Sequence, residues 1–186
     1  MIEAALQTLI EDGYSGTTAR AIAARGGFNA ALIFYHYGSV DELLLAALDK
    51  SSRERLARYK EALSESGNPE EIVRRAADLF RQDVDGGHVI AVTEMIGAGL
   101  SRPLLRDELV AMMRPWLELT QQALERLLSD PSLSGLRSAA APAAFAIVAG
   151  YLGLNLLSRL MPDLSQTEAL FRLLEQLAQL APPPRD

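Results

Sequence analysis

Between Gly26 and Val40 the chain reads GGFNAALIFYHYGSV and carries no acid, lysine or arginine. Surface helices usually carry charges, so the chemistry here belongs to uncharged groups. The hydroxyl of Tyr35 and the ring of His36 can donate hydrogen bonds to phosphate oxygens, which fixes position without reading sequence. Asn29 has the amide that pairs with an adenine edge, and Ala30 or Leu32 fits a thymine methyl. Each residue also has a plainer use. Asn29 suits a helix cap, Tyr35 closes a core edge, and His36 suits a helix end, where the local dipole favours it.

Other chemistries find little support. The chain has no cysteine and two widely spaced histidines, His36 and His88. Disulfides and cysteine metal sites are thereby excluded, and no zinc site or other metal is expected. There is no phosphate loop, no Gly-x-Ser-x-Gly and no paired histidine, so neither an enzyme nor a cofactor is expected. Hydrophobic residues make up 49% and charged residues 23% of 186 residues, an ordinary soluble composition. With 18 basic and 24 acidic residues the net charge is −6, which does not announce a nucleic-acid partner.

The elements that must position these residues are all helical. Ile2, Ala5, Leu6, Leu9 and Ile10 follow the stripe of a helix over about 2–12, ended by Gly13. Thr17 or Thr18 caps a second helix over 18–25, which stops at Gly26-Gly27. A third spans 29–36 with Asn29 as its cap. Ser39 to Glu42 is a capping box that opens a long helix over 40–64. Asn68-Pro69 starts a fifth over 69–83, and 88–98 forms a sixth. From Pro103 to about Leu128 an apolar pattern runs through Pro115, where a kink or break is expected. A loop at 130–135 precedes a helix over 138–160, stopped by Pro162. A second capping box, Ser165 to Glu168, opens the last helix over 166–180. The reading is all-α, about nine helices, with a head at 1–50 and a helical body at 51–186.

Residues 138–157, SAAAPAAFAIVAGYLGLNLL, carry no charge and approach the ~20 needed to span a bilayer. The segment begins with small residues and lies between amphipathic helices, so a buried or dimer-forming helix is expected rather than a membrane span. Residues 1–12 have neither the basic start nor the long apolar core of a secretory signal, which points to the cytoplasm.

Two short helices joined by a glycine turn, with a third packed across them, make a helix-turn-helix, whose second helix enters the major groove of DNA. The span from Ile2 to about Leu48 resembles the tetracycline-repressor-like (TetR) family of transcriptional regulators. The resemblance lies in Gly13-Tyr14, Thr17-Thr18, Ile22-Ala23, Gly27, Ile33 to Tyr37, and Gly38-Ser39 through Leu43-Leu44. It implies that Ile33, Phe34 and Tyr37 pack into the head. Asn29, Ala30, Leu32, Tyr35 and His36 then face the groove or the phosphates of double-stranded operator DNA. Thr17, Thr18 and the backbone N–H groups beside them suit a phosphate, and Arg20 faces the duplex. The chain departs from the family pattern at Ala30, Leu32 and Val40, and it starts without a basic arm. Residues 1–50 hold three bases and six acids, a net of −3. Binding is therefore expected to be weak with a shallow salt slope, either natively or because a basic arm precedes Met1 in the natural chain.

For residues 51–186 the resemblance implies dimerisation and ligand sensing. Ala146 and Gly150, and Ala149 and Gly153, are small pairs four apart that allow close helix approach. Leu170, Leu173, Leu174 and Leu177, with Leu180, form a stripe on the last helix. Two such helices from each of two chains would build the four-helix bundle of a homodimer. Candidates for holding a small-molecule effector are His88, Glu94, Met95, Met112, Met113, Trp116, Phe145 and Tyr151. Methionine suits adaptable apolar pockets, and tryptophan and tyrosine add a polar handle. Glu94, an acid in an apolar run, would orient a polar group; otherwise it faces solvent or pairs with an arginine. The whole reads as a repressor released from its operator by a small, largely apolar effector. The rival is a helical binding module without DNA binding.

Overall fold

In the computed structural model residues 1–64, 69–128, 131–161 and 166–179 are described. Among them are nine α-helices and no strand. The helices are α1 (Ile2–Gly16), α2 (Ala19–Gly26), α3 (Ala31–Tyr37), α4 (Val40–Ser64), α5 (Pro69–Gly86), α6 (His88–Gly99), α7 (Pro103–Leu127), α8 (Ala140–Leu160) and α9 (Gln166–Gln179). A 3-10 helix, Pro131–Ala139, leads into α8 where a loop was expected. Asn68, Ser165, Pro162, Asp130 and Leu180 lie outside the described residues.

Two boundaries differ from the sequence pattern for reasons the backbone supplies. α1 does not stop at Gly13 but bends there, at φ 67° and ψ 177°, and continues to Gly16. That conformation is open essentially to glycine alone. α7 runs on through Pro115 without a break. A proline removes one backbone donor, and the remaining hydrogen bonds of a helix this long carry it past the gap.

The chain divides into two compact units. The first takes Met1–Arg55 and Gly87–Met113, the second Leu56–Gly86 and Arg114–Asp186. The sequence pattern divides the chain at residue 50; the compact units divide it by packing, and they place α6 with the first three helices. The first unit's core is Ala5, Leu9, Ile22, Ile33, Leu43, Leu44, Ala47, Leu48, Val89, Val92 and Met95, all buried. Burying each large side chain contributes about 1.5–3 kcal/mol, so these contacts, not helix propensity, hold the short helices. α1 packs on both α2 and α6. In the second unit Ala77 and Phe80 of α5 meet Phe171 of α9, with Val84, Tyr151 and Leu154 packed around them.

Candidate nucleic-acid interface

The head's second turn is built from threonines. Thr18 caps α2, its hydroxyl accepting from the Ala21 N–H at 3.1 Å. Thr17 is buried, and its hydroxyl donates to the Gly13 carbonyl at 2.6 Å. Of the two, Thr18 is the exposed one. α2 ends at Gly27 in the left-handed region, φ 68°, and the chain turns into α3.

α3 starts two residues later than its sequence pattern suggests. The Asn29 side-chain oxygen accepts from the Ala31 N–H at 2.9 Å, so this residue caps the helix. Ile33 is fully buried and Tyr37 half-buried, one turn apart, which sets the inward face. Opposite them, Tyr35 is 82% exposed and Leu32 39% exposed. Ala31 and His36 are exposed and Ala30 is half-buried. The Tyr35 and His36 rings meet edge to face, 4.9 Å between centroids. Phe34 corrects the sequence reading: it was expected in the core and is 53% exposed. In a 100° helical wheel it lies beside the inward face, and Ile33 already fills the space.

Charge on this surface is scarce because most of it is paired. Arg25 reaches Glu11 at 2.7 Å and Asp12 at 3.6 Å, and its Nε donates to the Thr8 hydroxyl at 3.0 Å. Hydrogen bonds from Gln7, then from Arg25, hold the Glu11 carboxyl below its ordinary range. Arg20 is exposed with no ion pair among the described residues.

Behind the interface, α6 and the start of α7 fix α1. The Glu94 carboxylate accepts from the Tyr14 N–H at 2.8 Å, next to the Gly13 bend. The Tyr14 hydroxyl donates to Asp41 at 2.7 Å, and Arg102 reaches Asp41 at 3.0 Å. Arg102 also donates to the Tyr14 hydroxyl and stacks 5.2 Å from its ring centroid. Burial first, then the hydrogen bond to Asp41, raises the Tyr14 hydroxyl above its ordinary pKa. The acid in an apolar run is thus half-buried and bonded to a backbone N–H, with no arginine paired to it among the described residues.

The eight residues expected to line an effector site fall in both units. In the first, His88 is buried and shares a 2.9 Å hydrogen bond with Ser51, Met95 is fully buried, and Met112 and Met113 are half-buried. In the second, Trp116 sits edge-on to Tyr59 with centroids 5.3 Å apart, and Phe145 is 66% exposed. The Tyr151 hydroxyl donates to Asp83. Asp83 went unnoticed in the sequence, although it occupies the apolar stripe between Phe80 and Val84. It is 1% exposed and also accepts from the Tyr59 hydroxyl at 2.9 Å. A recess of about 300 Å3 in the second unit is lined by Lys60, Leu63, Leu119 and Arg126, among others, and by none of the eight.

α8 and α9 turn apolar groups outward. Ala146, Ala149, Gly150 and Gly153 are exposed. Leu173, Leu174 and Leu177 are 50%, 38% and 54% exposed, and Leu170 is half-buried. Residues 135–160 are long and apolar enough to cross a membrane by length and composition.

Residues 1–47 match the pattern of bacterial regulatory proteins, tetR family. An HTH-type transcriptional repressor of Mycobacterium tuberculosis is 36% identical over 91 residues, and a regulator of Mycobacterium bovis matches equally. Each match spans 46% of this chain and 46% of the relative, so it covers about half the length of these curated proteins. The fatty acid degradation regulator FadR of Bacillus halodurans superposes with a TM-score of 0.78 at 18% identity, over 95% of this chain and 91% of that one. FadR of Bacillus subtilis, in complex with stearoyl-CoA, gives 0.74 at 16% identity over 95% of both. At those identities the likeness is one of fold.

Proposed function

We propose, proceeding from a chain whose residues 1–47 place it in the tetR family of bacterial regulatory proteins, that it is a ligand-responsive repressor. This is a family of transcriptional regulators and not of enzymes. The observation that carries the reading is the outward face of α3, an exposed band of Leu32, Tyr35 and His36 in a helix-turn-helix. Residues 1–50 bind operator DNA; residues 51–186 dimerise and sense a small effector. Thr18, Tyr35, His36 and Arg20 hold phosphates, and Ala30 and Leu32 face the bases. Thr17 supports this set from beneath, since its hydroxyl serves the Gly13 carbonyl. Asn29 acts as the cap. The outward faces of α8 and α9 pair with a second copy in the cytoplasm, and a two-fold dimer sets its reading helices about 34–36 Å apart, or a multiple.

The effector is small and largely apolar. The stearoyl-CoA held by a structural neighbour supports an acyl-bearing ligand, and in the second unit Trp116 and Tyr151 supply aromatic surface that suits one. Effector and operator then oppose one another through a coupling of about 1–3 kcal/mol, equal in both directions.

The test is fluorescence anisotropy on the DNA upstream of the protein's own gene against scrambled DNA, at several salt concentrations. Preferential binding to the upstream DNA, relieved by long-chain acyl-CoA, is expected. The acid excess of residues 1–50 favours one rival, a helical module without DNA binding. Equal, salt-insensitive curves on both DNAs would establish it.

A further inference from the structure

We infer that the operator is read through thymine methyl groups, with Leu32 and Phe34 as the specificity-determining residues. This rests on the DNA-binding reading above and deepens it. Guanine is most often read by arginine or lysine, and residues 26–40 contain neither. Adenine is read by asparagine or glutamine, and the amide oxygen of Asn29, the sole such residue on this segment, is held by the Ala31 N–H. Cytosine is read by a carboxylate, which is also absent from residues 26–40.

What the helix does present is apolar surface. Leu32 is 39% and Phe34 53% exposed, flanking Tyr35 at 82%. Covering two large apolar side chains that a helix of seven residues leaves partly in water is favourable, by about 25 cal/mol per Å2 of apolar surface removed from water. The 5-methyl of thymine is the one apolar group on the floor of the major groove, so it is the complement of Leu32 and Phe34, which lie on the two flanks of Tyr35. Tyr35 and His36 then spend their donors on phosphates, which sets the register in which the two apolar groups meet the methyls.

The experiment compares two pools of duplexes with a randomised core, one containing thymine and one containing uracil in its place. Uracil keeps every hydrogen-bonding group and lacks only the methyl. Selection on the purified 186-residue chain should enrich the thymine pool, with runs of adjacent thymines in the recovered sequences. Remaking the best duplex with single uracils should weaken binding about 4-fold per methyl that Leu32 or Phe34 covers. Leu32→Ala and Phe34→Ala should each bind the thymine duplex and one of its single-uracil versions alike. Circular dichroism melts verify that both variants fold. Equal affinity of the wild type for thymine and uracil duplexes overturns the inference and leaves the DNA-binding reading standing. Undiminished discrimination in both alanine variants also overturns it. No enrichment from either pool overturns both readings together.

Discussion

Gly13 controls how α1 is tied to the rest of the head. At φ 67° and ψ 177° it occupies backbone space that a side chain makes costly, and an added Cβ would lie 3.1 Å from a Glu94 oxygen. Gly13→Ala should therefore destabilise the protein by about 1–3 kcal/mol, read as a lower urea midpoint at unchanged slope. The neighbouring Tyr14 gives a pH signature. Its folded pKa is raised, so its contribution is fully present below the unfolded tyrosine value of about 10 and is lost as pH rises through the folded value. Tyr14→Phe should flatten the alkaline arm of a Tm-against-pH curve above about pH 10. An unchanged arm would mean that the bond to Asp41 does not form in solution.

Helix pairs are tied by very different kinds of polar contact. Asp83 of α5 is 1% exposed and accepts from hydroxyls on α4 and α8. Asp83→Ala would strand two hydroxyls as well as remove packing, and should cost about 2–5 kcal/mol. Tyr151→Phe should cost less, about 1–3 kcal/mol, since the carboxylate keeps Tyr59. Calorimetric Tm values order the two variants. Between α5 and α9, Arg81 grips Glu168 through two bonds, at 2.8 and 2.9 Å. The guanidinium holds the Glu168 carboxyl below its ordinary range, and the Arg81 pKa rises. That sign makes the stabilisation present above the unfolded glutamate value of about 4.3 and lost as pH falls through the folded one. Both side chains are nearly half exposed, at 44% and 46%, so a double-mutant cycle should return no more than about 1 kcal/mol.

At the scale of the whole molecule, charge and symmetry set what binding looks like. Arg25 is held by Glu11 and Asp12, which leaves Arg20 as the exposed, unpaired cation of the helix-turn-helix among the described residues. A dimer neutralising one phosphate per head through it should give a log–log salt slope of about −2. A slope of −6 or steeper, as a rough bound, would require a basic surface beyond these residues. For the proposed dimer, Gly150→Leu is informative because a Cβ there meets nothing within 4 Å in the single chain. Sedimentation velocity should show the variant as a monomer with wild-type helicity; a persistent dimer would place the interface elsewhere.

The helices and the family of the head were legible in sequence because they depend on local signals: caps, glycine stops and apolar spacing repeat within a few residues. Thr18, Ser39 and Gly27 behave as those signals require. Tertiary structure decided the rest, since it depends on which helix presses on which. The stripe on α3 does not say that Ile33 alone fills the core and leaves Phe34 outside. Composition does not say that the acid at 94 bonds a backbone N–H eighty residues away, or that the one at 83 is buried under two tyrosines. Nor does a proline at 115 break a helix whose other hydrogen bonds suffice to carry it. Local chemistry chose the elements; long-range packing chose which of their side chains remain free to meet a partner.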